Sequence, residues 1–348
     1  LLFGLCTLLR GNFAVFQGAP ATITVDRVNG DVNAGGLQFA DDGMRVEGER
    51  LHLYANPDLL LPHTDPDARD LILSCGAALN HCVVALAALD WQSRVHRLPE
   101  PADPNHLAVI EPYPYPAADL DITLAAAIPR RRTDRRHYSS WPVPRGDIAL
   151  MGARAARAGV LLRRLEDLAT LRALVTEAAF RHRSDREYLA ELAVWSGRYA
   201  STAGVPARSV PGPDGIARVP ARDFAGGVLA HNANTHGVDD NAAVLALGTV
   251  EDDPLSRLRA GEATSLVLLT ATAQGLASCP ITEPLEVAET RAAVRADVFG
   301  AEGHPQMLLR IGWAPVNADP LPSTPRRALS DYVSDLDDAS DLDDTATA

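Results

Sequence analysis

The chain has 348 residues, 47% of them hydrophobic and 22% charged, which is ample for a globular core. This length predicts two units of similar size, or one core built by duplication. All 32 basic residues are arginine, so the composition excludes mechanisms that need a lysine, such as a pyridoxal Schiff base. The net charge of −13 argues against a general nucleic-acid surface.

Both ends of the chain differ in composition from the rest. Residues 1–43 are rich in glycine and lack periodicity, and the apolar run at residues 1–9 is too short to span a bilayer and lacks signal-peptide features. Residues 331–348 hold seven aspartates and no cation, which predicts a disordered, solvated tail. We therefore expect a cytoplasmic protein without a membrane contact.

The first periodic elements predict a sheet packed on a core helix. Met44–Glu47 and Arg50–Ala55 form an expected hairpin, and a helix is expected from Asp67 to about Leu89. Because this helix is apolar all round, it should be buried between other elements. A strand at His106–Glu111 follows, and the proline-rich segment 112–116 predicts a stiff linker between two units.

The second unit begins with a series of helices around one strand. The expected elements are a helix at Leu120–Ile128, a helix capped by Asp147, a strand at Val160–Leu165, a helix through Leu171 and Val175, and a helix opened by a Ser184/Glu187 capping box. Residues 204–241 are rich in proline and glycine and lack periodicity. A segment of that length is either a lid over a site or an exposed linker.

The last third repeats an earlier pattern. A helix of small residues is expected at Gly261–Leu276, then a helix at about Leu285–Phe299 and a strand at Gln306–Trp313. Aligning Gly76 with Gly261 brings a core helix and a following strand of each half into register. The pattern indicates an internal duplication, or two alanine-rich helices that are alike by chance.

Arginine clusters are the main chemical feature of the sequence. Arg130–Arg136 contains five arginines and one threonine after a helix stop, and Arg326 and Arg327 form a second basic pair. Guanidinium forks bind phosphate bidentately, although a charge run is also typical of a solvated face. His231 and His236 are more typical of solvated loop residues than of metal ligands. No catalytic nucleophile or metal motif is present, which favours chemistry carried by a bound cofactor.

Several runs match a known family. Arg131–Arg135 resembles the Arg-Arg-Ser-x-Arg phosphate motif of the nitroreductase flavoproteins, and Gly275–Glu283 resembles their helix-end turn beside the flavin N5. Gln306–Trp313 is similar to their last core strand, and 322–327 to their C-terminal phosphate arginine. Longer runs, at Asp65–Gly76, Ile128–Arg136 and Trp141–Pro144, are similar to the Acg-type nitroreductase-like proteins of mycobacteria.

The resemblance implies an α+β, nitroreductase-like fold in which one chain forms a fused pseudo-dimer, with mixed sheets around two central helices. The halves would be residues 44–116, which are incomplete, and 117–330, which carry the 204–241 insertion. A monomer with a single FMN follows. The resemblance assigns the flavin phosphate to Arg131, Arg132, Thr133, Arg135, Arg326 and Arg327, and the N5 edge to Pro280, Ile281, Thr282 and Glu283.

The function implied is an FMN-dependent oxidoreductase. NAD(P)H would supply hydride to the flavin, and a small nitroaromatic or quinone-like acceptor would take the electrons. The flavin itself would carry the chemistry, so no catalytic side chain and no metal is expected. Two alternatives are a protein that sequesters or stores FMN with little turnover and a flavin-free relative, because residues 1–43 do not reproduce the family's Ala-Pro-Ser…Asn-x-Gln-Pro-Trp stretch.

Overall fold

The structure is a computed structural model, in which a defined part of the chain is described. Residues 37–38, 44–47, 50–196, 204–212, 217–224, 227–229, 240–315 and 317–322 are described, the first two ranges as backbone only. The expectations for residues 1–36, His231, His236, Arg326, Arg327 and the acidic tail lie outside these residues.

The described residues form strands and helices in an α+β arrangement. The strands are β1 (Leu37–Gln38), β2 (Met44–Glu47), β3 (Arg50–Tyr54), β4 (Trp91–Arg97), β5 (His106–Pro114), β6 (Leu161–Leu165), β7 (Ala243–Thr249), β8 (Ala277–Ile281) and β9 (His304–Gly312). The helices are α1 (Arg69–Ala87), α2 (Asp119–Ala127), α3 (Arg145–Arg157), α4 (Ala169–Ser184), α5 (Arg186–Trp195), α6 (Pro254–Ala273), α7 (Glu283–Glu286) and α8 (Ala288–Val294).

The first sheet has the order β1-β2-β3-β5-β4, and the expected hairpin of β2 and β3 is confirmed. The predicted linker at 112–116 is wrong, because β5 continues to Pro114 and pairs with β4, a strand that the sequence pattern did not indicate. The pairing of β5 with β3 ends at Ile110. The prolines are tolerated because they lie beyond this point, where β5 has a neighbour on one side only.

The second sheet has the order β6-β7-β9-β8. Its central strand β7 was also missed; it is buried at every residue and directly follows the irregular segment 204–241. A strand that is covered on both faces is a continuous apolar run, which lacks the period-two signal of a half-exposed strand. The named strand pairs are antiparallel in both sheets. We expected mixed sheets, but in the described residues parallel pairing occurs only as isolated bridges, such as the one between Thr133 and Ser278.

The two sheets have the same connectivity. In the first, β3 leads through α1 to β4 and β5, and the strands lie in the order β3-β5-β4. In the second, β7 leads through α6 to β8 and β9, in the order β7-β9-β8. Each helix is followed by one residue with a left-handed backbone, Asp90 with φ 65° after α1 and Gly275 with φ 80° after α6. These two residues are equivalent in the same alignment that places Gly76 on Gly261.

Helices α1 and α6 cross in direct contact at two glycines. A Cβ atom at Gly76 would lie 2.1 Å from the Leu258 carbonyl oxygen, and one at Gly261 would lie 2.0 Å from the Leu73 carbonyl oxygen. The contacts are reciprocal, because each glycine meets the residue three positions before the other. Glycine is therefore required at both positions for the helix backbones to approach this closely.

Three hydrophobic clusters surround the crossing. The first sheet packs on α1, and one face of the second sheet packs on α6. The opposite face of the second sheet is covered by α4, α7 and α8. By length and composition α1 is apolar enough to cross a membrane, but 83% of its most apolar stretch is buried inside the protein, as expected for a core helix.

Two helix starts and one helix differ from the predictions. Asp147 lies in the first turn of α3 instead of capping it, and its carboxylate accepts from Gln274 Nε2 at 3.2 Å. Asp185 caps α5 by accepting from two backbone N–H groups, whereas Ser184 ends α4. The single helix expected at 285–299 is divided, because Val287 is extended between α7 and α8 and the last five residues form a π-turn.

We predict that Gly76→Ala or Gly261→Ala lowers the free energy of unfolding by about 3 kcal/mol or more, because the added methyl group overlaps a backbone carbonyl that cannot move independently. Urea denaturation followed by circular dichroism measures the change. Gly146→Ala is the matched control, since nothing lies within 4 Å of that position in α3. Equal stability of the three variants would contradict the close helix contact.

Candidate functional site

The arginine-rich segment after α2 lies against strand β8. Thr133 forms a parallel bridge with Ser278, and the Asp134 N–H donates to the Ser278 carbonyl oxygen at 2.9 Å. Ser278 precedes Cys279 and Pro280, so the bridge brings the basic segment beside the end of β8. The two runs that resemble the phosphate motif and the helix-end turn are therefore adjacent in space.

The arginines of this segment have different environments. Arg130 is exposed, and its Nε donates to the Ala126 carbonyl oxygen at the end of α2. Arg131 is buried and donates to Thr133 Oγ1 at 3.5 Å, and Arg132 donates to two backbone carbonyls. Arg135 is buried, donates to the Ser209 carbonyl oxygen at 3.2 Å, and has its pKa lowered by burial. A buried guanidinium whose charged form is disfavoured is a suitable partner for an anion.

Arg136 holds the segment in place instead of facing a ligand. Its Nε and Nη2 donate to the two Asp134 carboxylate oxygens, at 3.0 and 2.9 Å. Tyr138 Oη donates to the Asp134 carbonyl oxygen, and the Arg310 guanidinium of β9 lies 4.3 Å from the centre of the Tyr138 ring. Burial opposes the charge of Arg310, but Tyr138 and Asp240 outweigh it and raise the pKa of this group.

A cavity lies where the basic segment meets the end of β8. Its floor is formed by Cys279–Glu283, and Arg135 and Arg310 contribute from two sides. Cys279 is buried, and its pKa is raised by that burial, which makes the thiol a neutral lining group. Ser278 Oγ is also buried and makes no hydrogen bond within the described part of the chain.

Residues 219–222 and Phe224, from the described part of the irregular segment, also line this cavity. Arg222 is buried, pairs with Glu286 of α7, and donates to Thr282 Oγ1 at 3.2 Å. Burial opposes its charge, but Glu286, Tyr188 and Glu283 together raise its pKa. The ring of Phe224 lies 5.2 Å from the Arg135 guanidinium. Arg222 and Phe224 thus contact both the β8 side and the basic side of the cavity.

Comparison with known proteins places the chain in a family. No family model matches it. The Mycobacterium tuberculosis protein named "Putative NAD(P)H nitroreductase Rv3131" is 62% identical over 289 residues, which are 83% of this chain and 84% of that protein. The M. tuberculosis protein named acg, with the same description, is 34% identical over 82% of this chain and 87% of its own. The chain belongs to the nitroreductase family.

Solved structures of nitroreductases show a more distant overall similarity. The FMN-dependent nitroreductase NfnB from Mycobacterium smegmatis, in complex with NADPH, is 18% identical with a TM-score of 0.36, covering 61% of this chain and 97% of that one. A nitroreductase with bound FMN from Bacteroides fragilis is 15% identical with a TM-score of 0.37, covering 56% and 90%. The family assignment rests on the sequence relatives.

The nitroreductase family resemblance noted in the sequence is confirmed, and the structure places its residues in two groups. Arg135, Pro280, Ile281, Thr282 and Glu283 line the cavity, whereas Arg131, Arg132 and Thr133 lie beside it along the basic segment. Sequence reasoning missed Arg310 and Cys279. Arg310 is a single arginine inside an apolar strand, and this interruption is the sequence feature that could have indicated a site residue.

A second cavity of about 410 Å³ lies on the other side of α7. It is lined by charged groups of both signs, among them Asp65, Arg69, Glu286 and Arg291. Asp65 accepts from the Leu71 N–H at the start of α1. Burial, and next the neighbouring carboxylate of Asp70, raise the pKa of Asp65 to about 6.

We predict that Asp65→Asn removes part of the pH dependence of stability. A raised carboxyl pKa means that the folded state holds the proton more tightly, so the contribution of Asp65 is complete below about pH 4 and is lost as the pH rises through about 6. Asparagine keeps an acceptor for the Leu71 N–H. Between pH 4 and 7 the wild type should lose on the order of 2–3 kcal/mol relative to the variant, since each unit of pKa shift corresponds to about 1.4 kcal/mol.

Urea denaturation at several pH values measures this difference. Asp67→Asn, at an exposed position two residues on, is the control and should run parallel to the wild type. If Asp65→Asn also ran parallel to the wild type, the raised pKa of Asp65 would be wrong.

Proposed function

We propose that this nitroreductase family member binds one FMN at the junction of the basic segment and β8, and uses it to pass hydride from NAD(P)H to a small quinone or nitroaromatic acceptor. The observation that carries the proposal is the bridge between Thr133 and Ser278. This bridge brings the arginines that we assign to the phosphate beside a strand end that lines a cavity. The named relatives, described as NAD(P)H nitroreductases, support the same reaction class.

The donor set fits the flavin phosphate. One short segment offers guanidinium and hydroxyl donors, from Arg131, Arg132, Thr133 and Arg135. Burial lowers the pKa of Arg135, and a bound anion would raise it again by stabilising the charged guanidinium. Ser278 Oγ, buried without a hydrogen bond in the described residues, is a further polar group beside them. By family resemblance Arg326 and Arg327 complete this set.

The strand end fits the redox-active edge of the cofactor. When bound there, FMN supplies the two-electron chemistry. The role of Pro280–Glu283 is to present backbone and the Thr282 hydroxyl to the ring, in a place from which Arg222 and Phe224 exclude water. The protein's contribution is therefore positioning and desolvation, and the described residues provide no separate nucleophile for it.

The shared connectivity of the two sheets supports a fused pseudo-dimer that functions as a monomer. When the two halves are aligned so that Gly76 matches Gly261, Thr282 of the second half matches Arg97, at the end of β4 in the first half. Arg97 makes a bidentate ion pair with Glu262 of α6, at 2.6 and 2.7 Å. The first half also lacks an arginine cluster, so only the second half offers a flavin site.

We predict a ratio of one FMN per chain and a specific loss of affinity on Arg131→Ala. Hydrogen bonds to charged groups contribute roughly 1.5–3 kcal/mol each, so about a ten- to hundredfold rise in the FMN Kd is expected. Arg327→Ala should act similarly. Fluorescence quenching of FMN titrated with apoprotein measures both the ratio and the Kd.

Arg130→Ala is the matched control, because Arg130 belongs to the same run but is exposed and bonded to the end of α2. Its Kd should stay within about twofold of the wild type, well below the loss of a charged hydrogen bond. A ratio near two, or equal losses from Arg130 and Arg131, would contradict the proposed site.

A second candidate function is sequestration of FMN with little turnover. It is favoured by the covering segment, since Arg222 and Phe224 contact both sides of the cavity. A segment held over the flavin would bar the nicotinamide, which has to approach within about 3–3.5 Å for hydride transfer. The two functions differ in whether this segment opens during a catalytic cycle.

We predict that releasing the segment speeds both NADPH-dependent flavin reduction and flavin loss. The double substitution Arg222→Met, Glu286→Gln removes the buried ion pair without leaving one unpaired charge, which by itself would cost about 3–5 kcal/mol. Anaerobic stopped-flow at 450 nm measures reduction, and dilution measures FMN release. Arg208→Ala, exposed in the same segment, is the control. Unchanged rates in the double variant would reject a lid role.

A further inference from the structure

Three buried ionisable side chains form a continuous group beneath the strand end. His182 of α4 lies between two glutamates of α7, with Nδ1 3.4 Å from Glu283 Oε1 and Nε2 3.9 Å from Glu286 Oε2. The three side chains are at least nine-tenths buried. An imidazole with a carboxylate at each nitrogen can accept a proton on one side and give one up on the other.

One end of this group faces the candidate flavin cavity. Glu283 lines the cavity, and its Oε2 is buried without a hydrogen-bond donor in the described part of the chain. A buried carboxylate oxygen without a donor is unfavourable, because it has lost its hydration without compensation. Oε2 is thus a place either for a proton or for a donor group of a bound molecule.

The other end faces the second cavity. Glu286 lines that space of about 410 Å³ together with Asp65, Arg69 and His304. It is polar and large enough to hold several water molecules. His182 therefore stands between a water-accessible cavity and the cavity at the end of β8, and the two glutamates mark the two sides.

The charged side chains around the group pair with Glu286 or with one another. Arg222 from the covering segment pairs with Glu286 and balances one of the two carboxylates. The nearest other charges are paired among themselves, Arg69 with Asp70 and Arg291 with Asp252. On α5 the Tyr188 ring stacks on the His182 ring at 3.9 Å, and burial raises the pKa of its hydroxyl, so Tyr188 stays neutral. Among the described residues, the Glu283 carboxylate is thus left with His182 as its ion-pair partner.

We propose that Glu283 and His182 form a proton relay that protonates the reduced acceptor, with solvent in the second cavity as the source. The proposal rests on the oxidoreductase function proposed above. Reduction of a quinone to a hydroquinone takes up two electrons and two protons. NAD(P)H supplies the two electrons and one proton as hydride, and the second proton leaves Glu283 Oε2. His182, a neutral imidazole with its proton on Nδ1, then takes up a proton at Nε2 from water of the second cavity, past Glu286, and gives its Nδ1 proton to Glu283 Oε1. Tautomer exchange of the neutral imidazole, which needs no net proton, returns its proton to Nδ1 before the next turnover.

The relay separates the two half-reactions in a way that can be measured. Acceptor reduction consumes the relayed proton, whereas flavin reduction by NADPH does not depend on it. With menadione as the acceptor, Glu283→Gln and His182→Gln should slow reoxidation of the FMN-loaded protein by at least about tenfold, since a positioned proton donor contributes about 10²–10⁴-fold. In His182→Gln, which lies outside the cavity lining, the rate of reduction by NADPH, followed at 450 nm in the same stopped-flow experiment, should change by less than about threefold, far below that contribution.

Glu289→Gln is the matched control, because it is the same substitution at an exposed glutamate on α8. A measurement on flavin-free protein tests the pair without turnover. In protein labelled with ¹⁵N-histidine, Glu283→Gln should shift the Nδ1 resonance of His182, and Glu289→Gln should leave it in place. A solvent isotope effect on reoxidation of the wild type adds a test that needs no variant, and reoxidation should be slower in D₂O.

The outcomes distinguish the relay from the proposed function. A wild type that is not reduced by NADPH overturns the oxidoreductase function and, with it, the relay. A wild type that is reduced normally, with menadione reoxidation unaffected by either variant or by D₂O, overturns the relay alone. Equal slowing of both half-reactions in His182→Gln, or an unmoved His182 resonance in Glu283→Gln, also overturns it, because either result indicates a packing role.

Discussion

The contact between α1 and α6 at Gly76 and Gly261 is the constraint on which the rest of the structure depends. Because neither position carries a side chain, the two helix backbones meet directly, and the hydrophobic clusters on either side are brought close together. The strand ends that follow the two helices are then set by the helix positions. A shift of the crossing would move β8 and, with it, the floor of the candidate site.

Much of the fold follows from local patterns, and the exceptions have identifiable causes. The core helix α1 was predictable because small and apolar residues surround it on every side, which is the signature of burial. Strand β4 was not, since Trp91–Arg97 alternates weakly and is only half-buried. The sequence placed the cap of α5 at Ser184, one residue too early, because Ser184 and Asp185 are both good N-cap residues. In the structure the Asp185 side chain accepts the N–H groups.

The candidate site is foreseeable in its parts but not in its assembly. The arginine run and the Pro280–Glu283 turn are both visible as motifs, yet the bridge that joins them links residues far apart in the chain. The roles within the run were also hidden, because Arg130, Arg135 and Arg136 are chemically identical in the sequence. Burial and neighbours separate them: one is exposed, one is buried in the cavity wall, and one is bound by Asp134.

The buried pair of Arg222 and Glu286 has a kinetic consequence. Both partners belong to the protein, so the pair contributes little to the equilibrium affinity of a molecule held beneath the covering segment. In the lid role proposed above, such a molecule has to wait for the pair to separate, both on entry and on exit. The pair therefore sets a residence time. Because both side chains are almost fully buried, solution ions screen them weakly, and that waiting time should be nearly independent of ionic strength.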